Sequence, residues 1–446
     1  MARTVVPSET NPARFPSILL ACALAASACG SASTPSRPNV LFISIDTLRA
    51  DQLGTYGCER ATSPRIDAFA TGAVVFEDVT ASAPWTLPAM ASLFTSTYTT
   101  TNGCWGYGSR LDDSFTTLTE LLLAHGYDTA CVVSHLFCTT RHGLQQGFVH
   151  FDDTFAYPKV DPDRARTADV IADGGIDFLE RKAAVDDGRP WLLWLHFFDP
   201  HSDYMEAPGF TEHFLDPTHD ALQHQLDLYD GEIAATDHEV GRVLDALEEA
   251  GLAEETIVVL VADHGEEFLE HGGTGHGATL FSEVTRIPMI LRAPGIAPTR
   301  ITAQVRSIDL LPTLLDLLEL PTPSQAAGAT LVPLFTGEPS GMRRTALIET
   351  RMSPLARLEG VREGRWKLVR PLGGAPMLYD LSEDPGETTD VAGEHPEEVL
   401  RLTETLETLL EEAHTRAEDF EHAPEEALPP SIQEQFSGLG YVGEDP

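Results

Sequence analysis

Positive charge is scarce in this chain: 29 Lys and Arg stand against 69 Asp and Glu, a formal net charge of −40 over 446 residues. With no basic stripe to neutralise phosphates, this composition argues against DNA or RNA as a partner. It also sets a condition. An anionic substrate needs a strongly positive local site, and a bound divalent cation is the simplest supplier. Cysteine is sparse, six in all, with no close CxxC pair to suggest zinc and none in a recognisable nucleophile setting. No internal repeat stands out. The acidic surplus near the C-terminus, Glu397, Glu398, Glu411 and Glu412 among it, reads as the solvated face of a helix.

The apolar stretch FPSILLACALAASA (Phe15 to Ala28) is too short to cross a bilayer as a stable helix. Arg3 and Arg14 precede it and small residues close it, the pattern of an export signal over residues 1–29. ASAC, ending at Cys29, resembles a bacterial lipoprotein cleavage site whose Cys carries lipid. The usual Leu three residues earlier is absent, so ordinary signal cleavage is the alternative. The expectation is an exported protein, in the periplasm or on the outer or cell-surface membrane, attached to membrane only through that lipid. Cys58, Cys104, Cys131 and Cys138 then remain, and an oxidising compartment permits two disulfides in any of three pairings, or plain buried thiols.

After a Ser/Pro-rich linker over residues 30–37, VLFISID (Val40 to Asp46) is a nearly unbroken apolar run, the signature of a strand buried on both faces. Similar runs recur at Asp128 to Ser134, Trp191 to Phe197, Thr256 to Asp263 and Ile287 to Ala293. Helical patterns separate them, one ending at Gly126, another over Leu222 to Glu249 and closed by Gly251, a third around Asp309 to Leu320. This alternation predicts an α/β fold, a mainly parallel sheet sandwiched by helices, over residues 38–325. In such sheets, polar residues at the carboxyl ends of strands face the ligand crevice. Asp46 and Asp263 each end such a strand. A Pro/Gly-containing stretch then introduces a smaller α+β subdomain over residues 326–446, a short antiparallel sheet with one helix from about Glu397 to Ala413.

Two carboxylates and the imidazole of His264, delivered from distant strand ends to one crevice, are what a divalent metal site needs. A single Asp after a strand is more often a cap or turn residue; the pairing reverses that expectation. Pro84 to Pro88, with Trp85 inside, makes a rigid connection that opens a helix, bringing backbone N–H groups and the positive dipole end toward an anion.

Six motifs now stand in order: RPNVLFISIDTLRAD, APWTLPAMASLFTS, the DPH of HFFDPHSDY, ADHGEEFLEHG, GHGATLFSEVTRIPMILRAPG, and RWKLVR with LYDLSEDPGE. Over nearly all of the chain after the leader, the series resembles the sulfatase family of the alkaline-phosphatase superfamily. The resemblance implies an alkaline-phosphatase-like fold and a metal-dependent hydrolase of sulfate or phosphate esters. It implies a divalent cation, calcium by family habit, held by Asp46, Asp263, His264 and Thr86. Two carboxylates, a hydroxyl and an imidazole suit calcium less well than an all-oxygen site and leave zinc or manganese open.

The family's nucleophile motif, CxPSR or SxPSR, falls on Thr86, Leu87, Pro88, Ala89 and Met90. Its Cys or Ser becomes formylglycine, whose two hydroxyls on one carbon let one carry the sulfate while the other expels it. Formylglycine is therefore not expected at Thr86. A Thr alkoxide can instead attack phosphorus, giving a phosphothreonine that water hydrolyses. Thr47 and His264 stand where the family commonly has Asp and Asn, so the set also resembles Thr-nucleophile phosphodiesterases. Those enzymes hold a second metal; Asp199, His201, His271 and His276 offer suitable side chains, without the DxxxH spacing.

By the same resemblance His201 contacts the ester or protonates the leaving group, His276 stands at the place of a Lys that grips sulfate oxygens, and His135 falls near another such Lys. Thr86, His201 and His276 are thus the catalytic candidates, and His201, His276 and His135 the substrate-binding ones. Arg49 and Asp51 read as structural. The expected substrate is a sulfated or phosphorylated small molecule or glycan, its organic part read by the loop 202–225 and the C-terminal region. A degenerate member that binds an anionic glycan without turnover is the rival reading, favoured by loss of both the Cys/Ser and the Arg.

Overall fold

Strand β1 (Asn39–Ile45) lies in the middle of a nine-stranded sheet, and every one of its seven residues is buried. The computed structural model describes residues 37–153, 167–185, 187–337, 344–352 and 357–426. The leader, Cys29 and most of the linker lie outside the described residues. Strands β2 (Val74–Thr80), β3 (Asp128–Val133), β4 (His150–Asp152), β5 (Trp191–Phe197) and β6 (Thr256–Ala262) follow β1 along the chain. A two-stranded ribbon, β7 (Glu267–Phe268) with β8 (Thr274–Gly275), precedes β9 (Arg286–Arg292), β10 (Thr299–Ile301) and β11 (Val305–Arg306). The sheet order is β10-β2-β9-β6-β1-β5-β3-β4, with β11 also on β2.

β1 pairs in parallel with β5 on one side and β6 on the other. β9 runs antiparallel to both β2 and β6, the exception in a mainly parallel sheet. The apolar runs are continuous because helices cover both faces of such strands. The register fixes the site: Ile45 pairs with Phe197 and with Ala262, so the residues that follow, Asp46 and Asp263, leave the sheet at the same level.

The helix Thr86–Thr95 lies over these strand ends with all ten residues buried. Trp85 precedes it in extended conformation (φ −157°, ψ 161°), and Pro88 falls in the first turn, where a missing N–H removes no helical hydrogen bond. Phe94 packs its ring 4.7 Å from Trp194 and 5.6 Å from Phe42, pinning the helix to β5 and β1. Truncating such a buried aromatic costs about 3–5 kcal/mol. The helix stops at Ser96, left-handed at φ 56°, whose hydroxyl donates to the Ile308 carbonyl.

The chain ends in an antiparallel sheet, β12 (Ala346–Thr350), β13 (Leu358–Glu363), β14 (Trp366–Pro371) and β15 (Met377–Asp380), covered by the helix Pro396–Ala417. Leu402, Leu406 and Leu410, four residues apart on one helix face, bury against Leu347, Val361, Leu368 and Leu378. Tyr98 and Ile308 join that core from earlier in the chain, and Glu349 accepts from the amide and hydroxyl of Thr100. The described residues from Arg37 onward form one compact unit. Cys58, Cys104, Cys131 and Cys138 are free thiols, so the two-disulfide expectation gives way to plain thiols, and burial pushes Cys104 up to about 12.

Candidate active site and metal centre

Asp46, Asp263 and His264 each offer a ligand atom within 4.8 Å of the other two, and all three are fully buried. His264 Nε2 is the common point. It lies 3.4 Å from Asp46 Oδ1, 3.5 Å from Asp263 Oδ2 and 3.4 Å from Thr86 Oγ1. The His264 Nδ1 hydrogen is taken by the Gly265 carbonyl at 2.9 Å, which turns Nε2 toward the carboxylates. The sequence thus brings Asp46, Thr86, Asp263 and His264 to one point from β1, β6 and the start of a helix.

The donor set fits a divalent cation. Among the described residues, neither oxygen of Asp46 nor Asp263 Oδ2 accepts a hydrogen bond, although all are buried. Buried carboxylate oxygens without partners are costly, and an ion among them removes the cost. Burial, reinforced by Asp263 alongside, pushes the Asp46 carboxyl well above its ordinary range. At His264 burial works against the charged form, but the Asp263 and Asp46 carboxylates outweigh it and raise the imidazole above its usual value. A proton held there does in part what a cation does fully. None of the hydrogen bonds or ion pairs of Asp46, Thr86, Asp263 or His264 among the described residues is made with Lys or Arg.

Histidine rings close the other side. The His276 ring centroid is 4.4 Å from that of His264 and 4.9 Å from that of His201, and His135 stands 5.5 Å beyond His201. His201 Nδ1 donates to the Ser202 carbonyl at 2.6 Å, and His276 Nδ1 to Glu266 Oε1 at 2.9 Å. Burial, with a neighbouring imidazole adding to it, holds His201 and His276 well below the usual histidine range. His135 is buried, its Nδ1 accepting from the Phe137 amide and its ring stacked on Phe198.

Thr47 carries a left-handed backbone (φ 52°), sparsely populated for a β-branched residue and worth about 1–3 kcal/mol of strain. Its hydroxyl donates to the Pro200 carbonyl and its own carbonyl accepts from Tyr229 at 2.7 Å. The turn after β1 is thereby tied to the loop bearing His201. Arg49 pairs with Asp51 and Glu270.

Two residues that the sequence reading did not single out belong here. Glu266, fully buried two residues after His264, orients His276. His196, which pairs with Ser44 in the β1–β5 register, lies with Nε2 3.4 Å from Asp46 Oδ2, and burial drives it down to about 4. A His near the end of an otherwise apolar buried strand was the available signal. Asp199 and His271 stand apart: Asp199 accepts from the Ala168 amide, and His271 pairs with Glu283 at 2.6 Å in a separate group with Glu267. Beyond His276 opens a cavity of about 370 Å³, lined by Asp203, Tyr204, Gln225, Glu267, Phe268 and Met352 among others.

The sulfatase family profile matches residues 38–320, and the profile of the N-sulphoglucosamine sulphohydrolase C-terminal region matches residues 272–416. Arylsulfatase K of Bos taurus is 24% identical over 88% of this chain and 87% of its own length. The Delta 4,5-hexuronate-2-O-sulfatase of Bacteroides thetaiotaomicron is 25% identical over 88% and 92%. Among solved structures, the phosphonate monoester hydrolase of Agrobacterium radiobacter superposes with a TM-score of 0.74 at 23% identity, covering 84% of this chain and 96% of that one. A structure in complex with its substrate D-glucosamine-2-N,6-O-disulfate superposes at 0.72 with 21% identity, covering 86% and 98%. Motif order, sheet and family profile agree, and the chain belongs to the sulfatase family.

Proposed function

We propose that this protein is a metal-dependent ester hydrolase in which Thr86 is the nucleophile and a singly charged phosphoester or phosphonate ester is the favoured substrate. The observation that carries the reading is the position of Thr86 Oγ1, buried at a helix N-terminus and 3.4 Å from the imidazole nitrogen that the two carboxylates share. A hydroxyl serving only in packing has no reason to point there. The missing Lys and Arg contacts support the charge assignment. One cation site and neutral imidazoles balance a monoanion better than a dianionic phosphate monoester.

A divalent cation held by Asp46, Asp263 and His264, zinc or manganese as well as calcium, supplies positive charge that eases ionisation of a hydroxyl and neutralises ester oxygens. Thr86 Oγ attacks phosphorus; the Oγ–P bond forms as the ester P–O bond breaks, its electron pair leaving with the alcohol. The first amides of the Thr86–Thr95 helix and their dipole face the anion. His201 relays the proton that the Thr86 hydroxyl gives up to the departing oxygen, and His276, steadied by Glu266, lines the wall beside the non-bridging oxygens. Water then cleaves the phosphothreonine and restores Thr86. His135 backs the His201 ring and completes the polar wall. The cavity beyond His276 takes the organic group, and its Asp203 and Glu267 favour one without further negative charge.

Sulfate ester hydrolysis is the second reading, supported by the family and by relatives named as sulfatases. It lacks a geminal diol at Thr86. A binding protein for sulfated glycans, the third, has the loss of the motif Arg at Met90 in its favour. Export as a lipoprotein through Cys29 is part of the proposal. The test is a parallel assay of the protein and its Thr86→Ala variant on aryl sulfate, phosphate monoester, phosphodiester and phosphonate monoester, with calcium, manganese or zinc. Thr86-dependent phosphoester turnover is expected. Sulfate release that survives Thr86→Ala refutes the nucleophile, and silence on all substrates with cation bound moves the reading to the binder.

A further inference from the structure

We infer that the cavity beyond His276 is a pocket for an ammonium group, so that the favoured substrate is zwitterionic: a singly charged ester at the cation site, joined by a short chain to a positive head. The inference rests on the ester hydrolase reading above and names the organic part which that reading leaves open.

Charge in the cavity wall has one sign. Among the described residues lining it, Asp203 and Glu267 are the acids, and no Lys or Arg is present. In a chain of net charge −40 there is no surplus of positive charge elsewhere to offset them. A ribbon and a loop build this wall: β7 supplies Glu267 and Phe268, and the chain after β5 supplies Asp203 and Tyr204. His276, which follows β8, belongs to the same wall, while its ring centroid is 4.4 Å from that of His264. One imidazole thus stands between the place for an anion and the place for a cation.

Glu267 is the fixed charge. It is 3% exposed, and its Oε1 accepts from the amides of His271 at 3.1 Å and Gly273 at 2.8 Å, both in the turn between β7 and β8. Its Oε2 has the Thr279 hydroxyl at 3.5 Å, too long for a strong hydrogen bond. The ring nitrogens of His271 are turned elsewhere, to Glu283 and the Glu387 carbonyl. A buried carboxylate held by amides and left short on one oxygen is costly, and a cation beside it removes that cost. Asp203, exposed, adds a second negative charge.

The rest of the wall selects the kind of cation. Tyr204 and Phe268 both line the cavity, their ring centroids 5.3 Å apart, and buried Tyr229 packs on them at 5.6 and 5.0 Å. Aromatic faces attract an ammonium within about 6 Å of the centroid and demand no hydrogen bond from it. Met352 brings a polarisable thioether from just beyond β12. A hard metal ion needs several oxygen ligands and gains nothing from two rings and a thioether. An alkylated ammonium uses all of them. The volume of about 370 Å³ lies at the small end of ligand pockets, about 300–1,000 Å³, and fits a head group rather than a glycan chain.

The experiment compares two p-nitrophenyl phosphodiesters on the Mn2+-loaded full chain at fixed ionic strength: the choline ester and its 3,3-dimethylbutyl isostere, in which carbon replaces the charged nitrogen. The choline ester is expected to have the higher kcat/KM by at least about tenfold. That ratio is expected to fall toward one in Asp203→Asn and in Glu267→Gln. Because it is read within each variant, a general loss of activity does not move it. Equal kcat/KM on the two esters in the parent protein, or a ratio that both variants leave intact, overturns the inference while the hydrolase reading stands. If neither ester is hydrolysed, equilibrium dialysis of both decides. Tighter binding of the choline ester, lost in Asp203→Asn, keeps the pocket and rejects the hydrolase; equal or absent binding overturns both.

Discussion

Thr86 Oγ1 and His264 Nε2 approach to 3.4 Å across 178 positions of sequence, one at the first residue of a helix and the other just beyond the end of β6. Neither position is free to drift: Phe94 pins the helix to the sheet, and the Gly265 carbonyl fixes the imidazole. Thr86→Ser keeps a hydroxyl at the same place and is expected to retain turnover within about tenfold, whereas Thr86→Ala loses at least about 10³-fold in kcat, the scale for removing a nucleophile. Steady-state kinetics on a phosphodiester, with thermal midpoints showing both variants folded, checks this.

The unpaired oxygens of Asp46 and Asp263 repel one another in the cation-free protein. Asp46→Asn is therefore expected to raise the cation-free thermal midpoint while abolishing the rise that Mn2+ or Zn2+ gives the parent. Scanning calorimetry with and without cation measures both. A lower midpoint in the cation-free variant would contradict the stored repulsion.

His264 gives cation binding a pH sign. Its folded value is raised above the ordinary 6.5, so protonation stabilises the cation-free protein fully below the unfolded value, and that contribution is lost as pH rises through the folded one. Cation and proton compete for the same nitrogen, so apparent cation affinity falls on acidification through the folded value, with about one proton released per cation bound. Isothermal titration calorimetry in buffers of different ionisation enthalpy counts that proton; no release would remove His264 from the ligand set.

Removing the proposed acid His201 should hurt substrates in proportion to their need for a proton. His201→Asn is expected to lower kcat by about 10²- to 10⁴-fold on an alkyl phosphodiester and far less on a nitrophenyl ester, whose leaving group departs as the anion. Equal losses on both would assign His201 to binding instead.

Strand ends and motif order made the sheet, the covering helices and the Asp46–Asp263–His264 set legible in the sequence, because parallel register converts strand-end position into proximity. Direction is another matter. An apolar run such as Ile287 to Ala293 reads the same either way, and β9 proved antiparallel. β2 and β12 carry polar residues that blur their runs. His196 was hidden because its place beside Asp46 follows from a cross-strand pairing with Ser44, which no local pattern encodes. Cysteine count and compartment likewise could not foretell that the four described thiols are unbridged.

The phosphothreonine is the account's central claim. Rapid-quench of the protein with a phosphodiester or phosphonate monoester substrate in the presence of cation, followed by peptide mass spectrometry, tests it directly. The account predicts a substrate-dependent phosphoryl or phosphonyl adduct on Thr86, absent when Thr86→Ala is treated alike. Turnover with no adduct at Thr86 at any quench time, together with full activity in Thr86→Ala, would contradict it.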